Sequence, residues 1–172
     1  MEASEALNQL SLWCRQSNGS PIEIQRGIER RFNTVSTFAE ANLRSIERAL
    51  GWSLPTTYGA LLRLVGQSRL FVDTYGLGLY LYSPEEVISS SQGIWDEEEE
   101  PGEERFCLIG ESRNTGDYFG FVISRDTVTN FDVFCHEYPP PEYAAISDEL
   151  KSWRTLDQWL VQIVGSYGQE TL

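Results

Sequence analysis

Residues 46–66, IERALGWSLPTTYGALLRLVG, read as the end of one helix, a fixed corner and the start of a second helix. Leu43, Ile46 and Leu50 fall on one helical face, and Gly51 is the residue type that ends a helix in a left-handed conformation at no steric cost. Pro55 suits a first helical turn, where its missing N–H has no intrahelical partner to lose. Tyr58, Leu61, Leu62 and Val65 follow Leu54 at offsets of four, seven, eight and eleven residues, which places all five on one side of the second helix. The corner therefore docks two amphipathic helices onto a common core.

Upstream, Thr37 followed by Glu40 makes a capping box for the helix that ends at Gly51. Between Ile22 and Val35 the signal is divided. Ile22 and Ile24 alternate like a strand, whereas Ile24, Ile28 and Phe32 recur every four residues like a helix, so both states stay open there. A first helix capped by Ser4 carries Leu7, Leu10 and Cys14 on one face with Trp13 beside them, and the Ser17-Asn18-Gly19-Ser20-Pro21 cluster ends it.

Downstream of Gly66 the texture changes. Leu77, Leu79 and Leu81 interleave with Gly78, Tyr80 and Tyr82 at the period of two that fits a half-buried strand. Ser83-Pro84-Glu85-Glu86 then starts a short helix with a cap, a first-position proline and acids at the positive end of the dipole. Further strands are expected at Phe106 to Gly110, Tyr118 to Ser124 and Phe131 to His136, joined by hairpin connections rich in Gly, Asn, Asp and Thr. Pro139, Pro140 and Pro141 take the chain out of the sheet. A last helix follows, opened by a Thr155/Gln158 capping box, lined by Leu156, Trp159, Leu160 and Ile163, and stopped at Gly165. Helices first, strands in the middle and no β-α-β alternation give an α+β fold, a mostly antiparallel sheet with helices packed on it. A chain of 172 residues with 41% hydrophobic content is expected to form a single domain over 1–172 without disulfide help.

The charge balance narrows the function. Against 26 acidic residues stand 13 basic ones, of which only Lys151 is a lysine, for a net charge of −13 and a pI near 4.4. Nucleic acid is excluded as the expected ligand, because its phosphates are held by clustered Lys and Arg that displace counterions. A cationic partner fits better. Cys14, Cys107 and Cys135 are widely separated and odd in number, which fits a reducing compartment better than a disulfide framework. MEASEALNQL lacks the basic and apolar segments of a leader, and no run approaches the roughly 20 apolar residues of a membrane span. The expectation is a cytoplasmic protein with no membrane partner.

Several motifs occur in a set order. A helix with Ile46 and Glu47 ends at Gly51, followed by Leu54-Pro55 and Tyr58. Gly116-Asp117 precedes the aromatic run Tyr118, Phe119 and Phe121, His136-Glu137 closes a strand, and Leu156-Asp157-Gln158-Trp159-Leu160 opens the last helix. In this order and spacing they resemble the SUKH superfamily, which includes the yeast cell-wall assembly regulator and many bacterial immunity proteins encoded beside polymorphic toxins. The chain departs from the family at Val65-Gly66-Gln67, where Asn-Gly-Gly is common, and residues 1–35 form an N-terminal extension outside the pattern. The resemblance implies a SUKH-like fold and a binding role. The partner it implies is a protein toxin, a basic nuclease in the leading form; a regulatory scaffold like the yeast protein is the alternative.

For catalysis the inventory is thin. His136 is the single histidine, so any nucleophile and base pair must use it. On a regular strand Cys135 points to the opposite face, leaving Cys107 or Cys14 as its partner in a hydrolase, the least favoured reading. No spacing marks a metal or cofactor site, and none is expected. Asp117 reads first as a hairpin residue bonding its own backbone. Seven of the nine residues in Asp96 to Glu104 are acidic, with Trp95 just before them. Such a run is most simply a solvated loop, but beside an aromatic anchor it is also what a cationic protein would recognise. The candidate partner-binding set is accordingly Trp95, Asp96, Glu97, Glu98, Glu99, Glu100, Glu103, Glu104, Asp117 and Tyr118, with Tyr75, Tyr80 and Tyr82 as further aromatic candidates.

Overall fold

In a computed structural model, which describes residues 1–96 and 105–169, the chain begins with helix α1 (Ala3–Ser17). Ser4 is not its cap: the helix starts earlier, with the Glu5 carboxylate accepting from the Glu2 N–H at 2.9 Å. The ambiguous segment resolves as a hairpin of β1 (Pro21–Gln25) and β2 (Ile28–Ser36). The Phe32 N–H donates to Ser17 Oγ at 2.8 Å, which ties the end of α1 to the middle of β2.

The corner is as read. Helix α2 (Glu40–Leu50) ends at Gly51 with φ 71°, and α3 (Thr56–Leu64) begins one residue after Pro55. Leu54, Tyr58, Leu61, Leu62 and Val65 are all buried. The start of α2 differs from expectation, since Ala39 takes the cap position and its N–H donates to Asn42 Oδ1 at 3.1 Å. Thr37 and Glu40 make no box because the helix starts too late for Thr37 to reach it. At Val65-Gly66-Gln67 the chain turns directly into a strand. Gly66 has φ 64°, and any side chain there would run into the Ser36 carbonyl, so the turn requires glycine.

Strands β3 (Gln67–Val72) and β4 (Leu79–Leu81) follow, then α4 (Pro84–Asp96), β5 (Phe106–Ser112), β6 (Tyr118–Val122), β7 (Phe131–Phe134), α5 (Pro140–Leu150) and α6 (Leu156–Gly165). Leu77 stays outside β4 in a turn whose amides at Tyr75 and Leu77 donate to Asp73 Oδ1. The sheet ends at Phe134, five residues before Pro139, and the proline run instead opens α5, since prolines suit a first helical turn. Gly165 is the last residue of α6, and the chain reverses just beyond it at Tyr167 and Gly168, both with positive φ. Among the described residues the strands form one antiparallel sheet in sequence order, β1 to β7.

Helices α1, α3 and α6 cover one face of the sheet. Trp159 of α6 stacks against Phe119 and Phe131, Tyr58 of α3 meets Phe121, and Trp13 of α1 meets Phe32 and Phe71. Phe71 reaches this layer through a bulge in β3 where its φ is 53°. The left-handed backbone costs roughly 1–2 kcal/mol, which burial of a phenyl ring, worth about 1.5–3 kcal/mol, offsets. On the other face α5 packs on β7 through Tyr143 and Phe134, while α4 lies along β5 beyond the end of β4, where Ser91 accepts the Leu108 N–H at 3.0 Å. The stretch of this face between α4 and α5 carries the candidate site.

Candidate functional site

Alternation along β4 sends Leu79 and Leu81 inward and Tyr80 and Tyr82 to the outer face. The two rings meet edge to face, 5.7 Å apart. Tyr82 donates its hydroxyl to Glu111 Oε2 at 3.0 Å, and the same carboxylate pairs with Arg113 Nε at 2.9 Å. The Arg113 guanidinium lies 5.1 Å from the Tyr80 ring centre. Glu86, three residues after the cap Ser83, accepts from Tyr80 Oη, Gln67 Nε2 and the Ser83 N–H. Burial first, then the neighbouring Glu111 carboxylate, raises the Tyr82 pKa, so that phenol stays a donor. The outer face is thus a fixed tyrosine and glutamate lattice.

Beside it opens a cleft of about 800 Å³, bounded by Tyr82, Glu111 and Tyr118 on the sheet, by His136 and Tyr138 beyond β7, and by Ser90 and Gly93 of α4. Asp117 lies behind it, almost fully buried, at the end of the β5–β6 connection. One carboxylate oxygen, Oδ1, accepts both the His136 N–H at 3.1 Å and His136 Nδ1 at 2.9 Å. Burial alone would raise the pKa of Asp117, but hydrogen bonds from Thr115 and His136 and the imidazole charge hold it below the usual carboxylate value. The His136 ring rests against Gly116, with its side chain 49% exposed to the cleft.

The expected separation of Cys135 from His136 does not hold. Strand β7 ends at Phe134, so the alternation stops before these two residues. One ligand-type atom from each of Asp117, Cys135 and His136 lies within 4.8 Å of the others. The hairpin register explains the cluster: Tyr118 pairs with Phe134, which carries Asp117 to the level of Cys135. The other two thiols are elsewhere. Cys107 is fully buried in β5, and Cys14 lines a separate hollow with Arg15 and Thr34; burial raises both their pKa values. Neither is presented to the cleft.

Of the expected partner-binding residues, Tyr118 lines the cleft and Asp117 positions His136. Trp95 and Asp96 are the last residues of α4, whose Gly93 borders the cleft. Glu97, Glu98, Glu99, Glu100, Glu103 and Glu104 lie outside the described residues. Tyr75 is exposed, in the turn before β4 rather than in the cleft. Glu111 and Tyr138 join the site without having been singled out. Among the described residues no helix is long and apolar enough to cross a membrane.

Residues 37–162 match the SMI1 / KNR4 family (SUKH-1). The chain belongs to this family. The match begins just after β2, so α1, β1 and β2 all lie outside it while sharing the sheet and its helical layer. This SUKH-1 protein is also similar to the immunity protein RhsIB of Dickeya dadantii (strain 3937), 27% identical over 165 residues that span 95% of this chain and 96% of the relative. That similarity includes the N-terminal segment.

Proposed function

We propose that this SUKH-1 protein is an immunity protein: it binds a protein toxin and neutralises it by occupation, in the cytoplasm and without catalysis of its own. The observation that carries the reading is the similarity to immunity protein RhsIB along nearly the whole of both chains. The net charge of −13 favours a basic toxin, such as a nuclease whose nucleic-acid surface the protein would cover.

The docking face in this reading is the cleft with Tyr82, Glu111, Tyr118 and Tyr138, together with Trp95 and the acidic residues from Asp96 to Glu104. Asp96 follows Gly93 by three residues, about 4.5 Å of helix, so α4 ends close to the cleft. Tyrosines supply contact area at low entropic cost, and carboxylates around them select a cationic surface. The test is survival of cells that express the toxin encoded beside this gene. Co-expression of the protein is expected to restore growth and to yield a one-to-one complex; cell death despite soluble co-expressed protein overturns the reading.

A further inference from the structure

We propose that Asp117, Cys135 and His136 form a binding site for a single zinc-class divalent ion at the inner wall of the cleft. Three different donor types converge there from two separate segments, the end of the β5–β6 connection and the residues just beyond β7, with their ligand atoms within 4.8 Å of one another. A thiolate, an imidazole and a carboxylate together suit a borderline-soft ion, and three protein ligands with one open position are the usual arrangement where zinc stays accessible.

The geometry needs little adjustment. Asp117 Oδ1 and His136 Nδ1 lie within hydrogen-bond distance at 2.9 Å, with the proton between them. Metal–ligand bonds of about 2.0–2.3 Å at tetrahedral angles require donor separations of roughly 3.4–3.6 Å. The ion takes the place of this proton, opening that contact by about half an ångström, and draws Cys135 Sγ in by rotation of a half-exposed side chain. Starting from the neutral imidazole, the displaced Nδ1 proton is exchanged through solvent to the outer ring nitrogen, with no net release from the ring. The thiol loses its proton to solvent, so one proton is released per ion bound, with no change of oxidation state. Oδ1 also accepts the His136 N–H, which holds the carboxylate at the correct depth before the ion arrives. The fourth position faces the cleft, where water or a partner's side chain completes the shell.

Cys135 makes this testable on the native chain. Cys14 and Cys107 are buried and Cys135 is not, so a water-soluble alkylating reagent marks Cys135 first. Addition of one equivalent of zinc chloride is expected to slow its alkylation at least tenfold, and cobalt chloride to give the near-ultraviolet thiolate-to-metal absorption band. Calorimetry in two buffers of different protonation enthalpy is expected to report one proton released. Cys135→Ser, at a half-exposed position that leaves the fold intact, is expected to lower zinc affinity at least about 100-fold, and His136→Ala likewise. Unchanged alkylation with zinc in excess, or zinc binding of equal strength in Cys135→Ser, overturns the proposal; the second outcome places the ion on carboxylates elsewhere. Because none of these readouts involves a toxin, they stand or fall apart from the immunity reading.

Discussion

The carboxylate of Glu47 accepts the backbone N–H of Leu54 at 2.9 Å. This bond spans the corner: α2 ends three residues after Glu47, and Leu54 precedes the proline that opens α3. The Glu47 side chain is only 13% exposed and also pairs with Arg44. Glu47→Ala leaves the Leu54 N–H without its partner and is expected to cost about 1–3 kcal/mol, read as a lower urea midpoint with unchanged slope. Glu47→Gln keeps an acceptor and is expected to lose less than half of that.

The second corner, between α3 and β3, depends on the absence of a side chain. Gly66 combines φ 64° with a direct approach to the Ser36 carbonyl. Gly66→Ala adds the left-handed penalty to a backbone clash, and a loss of at least about 2 kcal/mol is expected by thermal or urea unfolding. Gly93→Ala is the control, since nothing lies within 4 Å of its added carbon and its φ is ordinary; it is expected to be neutral or slightly stabilising.

A buried ion pair closes the far end of the sheet. Asp132 of β7 accepts from Arg154 Nη2 at 3.1 Å and from the Ser152 hydroxyl, with side-chain exposures of 2% for Asp132 and 14% for Arg154. Removing one member strands the other's charge. Asp132→Ala is therefore expected to destabilise the protein by about 3–5 kcal/mol, whereas Arg63→Ala, whose pair with Glu40 is exposed on both sides, is expected to change stability by less than about 1 kcal/mol. Parallel urea titrations compare the two.

How far the sequence reveals the molecule depends on whether each signal is local. The corner at Gly51 to Pro55 was legible because each of its devices acts on its own neighbours: periodicity, a left-handed glycine and a proline at a helix start. The Thr155/Gln158 box was legible for the same reason, and both of its bonds are present. Strand β3 was not, because the bulge at Phe71 buries two consecutive residues and destroys the period of two. Helix α5 was hidden by its own prolines, which stop a strand and start a helix with equal ease. At the site, Tyr118 was legible as an aromatic beside a hairpin, but the Asp117, Cys135 and His136 cluster was not. Side chains alternate only while a strand continues, and β7 ends two residues before His136.

The link between Asp117 and His136 carries a pH signature. Hydrogen bonds from Thr115 and His136 outweigh burial and leave the folded pKa of Asp117 below its unfolded value, which is about 3.9. A lowered carboxylate stabilises the fold fully above the unfolded pKa, and that stabilisation is lost as pH falls through the folded one. Stability is thus expected to decline below about pH 4, and the difference between the parent protein and Asp117→Asn to shrink over the same interval. Urea midpoints measured from neutral pH down through the carboxylate range test this. A difference that stays constant with pH would show that Asp117 contributes packing alone.

The acidic segment and the tyrosines of the cleft should leave different kinetic marks on toxin binding. Charges at the edge of an interface act mainly on encounter, and their effect fades once the Debye length falls to a few ångströms near 1 M salt. Replacing Glu97, Glu98, Glu99 and Glu100 together by Gln is expected to lower the association rate about tenfold at low salt and little at high salt, with dissociation nearly unchanged. Tyr118→Ala removes a ring from the cleft floor and is expected to act the opposite way, raising the dissociation rate while sparing association. Stopped-flow or surface-based kinetics at two salt concentrations separate the two effects. A four-glutamine variant whose association rate matches the parent at low salt would remove the acidic segment from the docking face and leave the cleft as its centre.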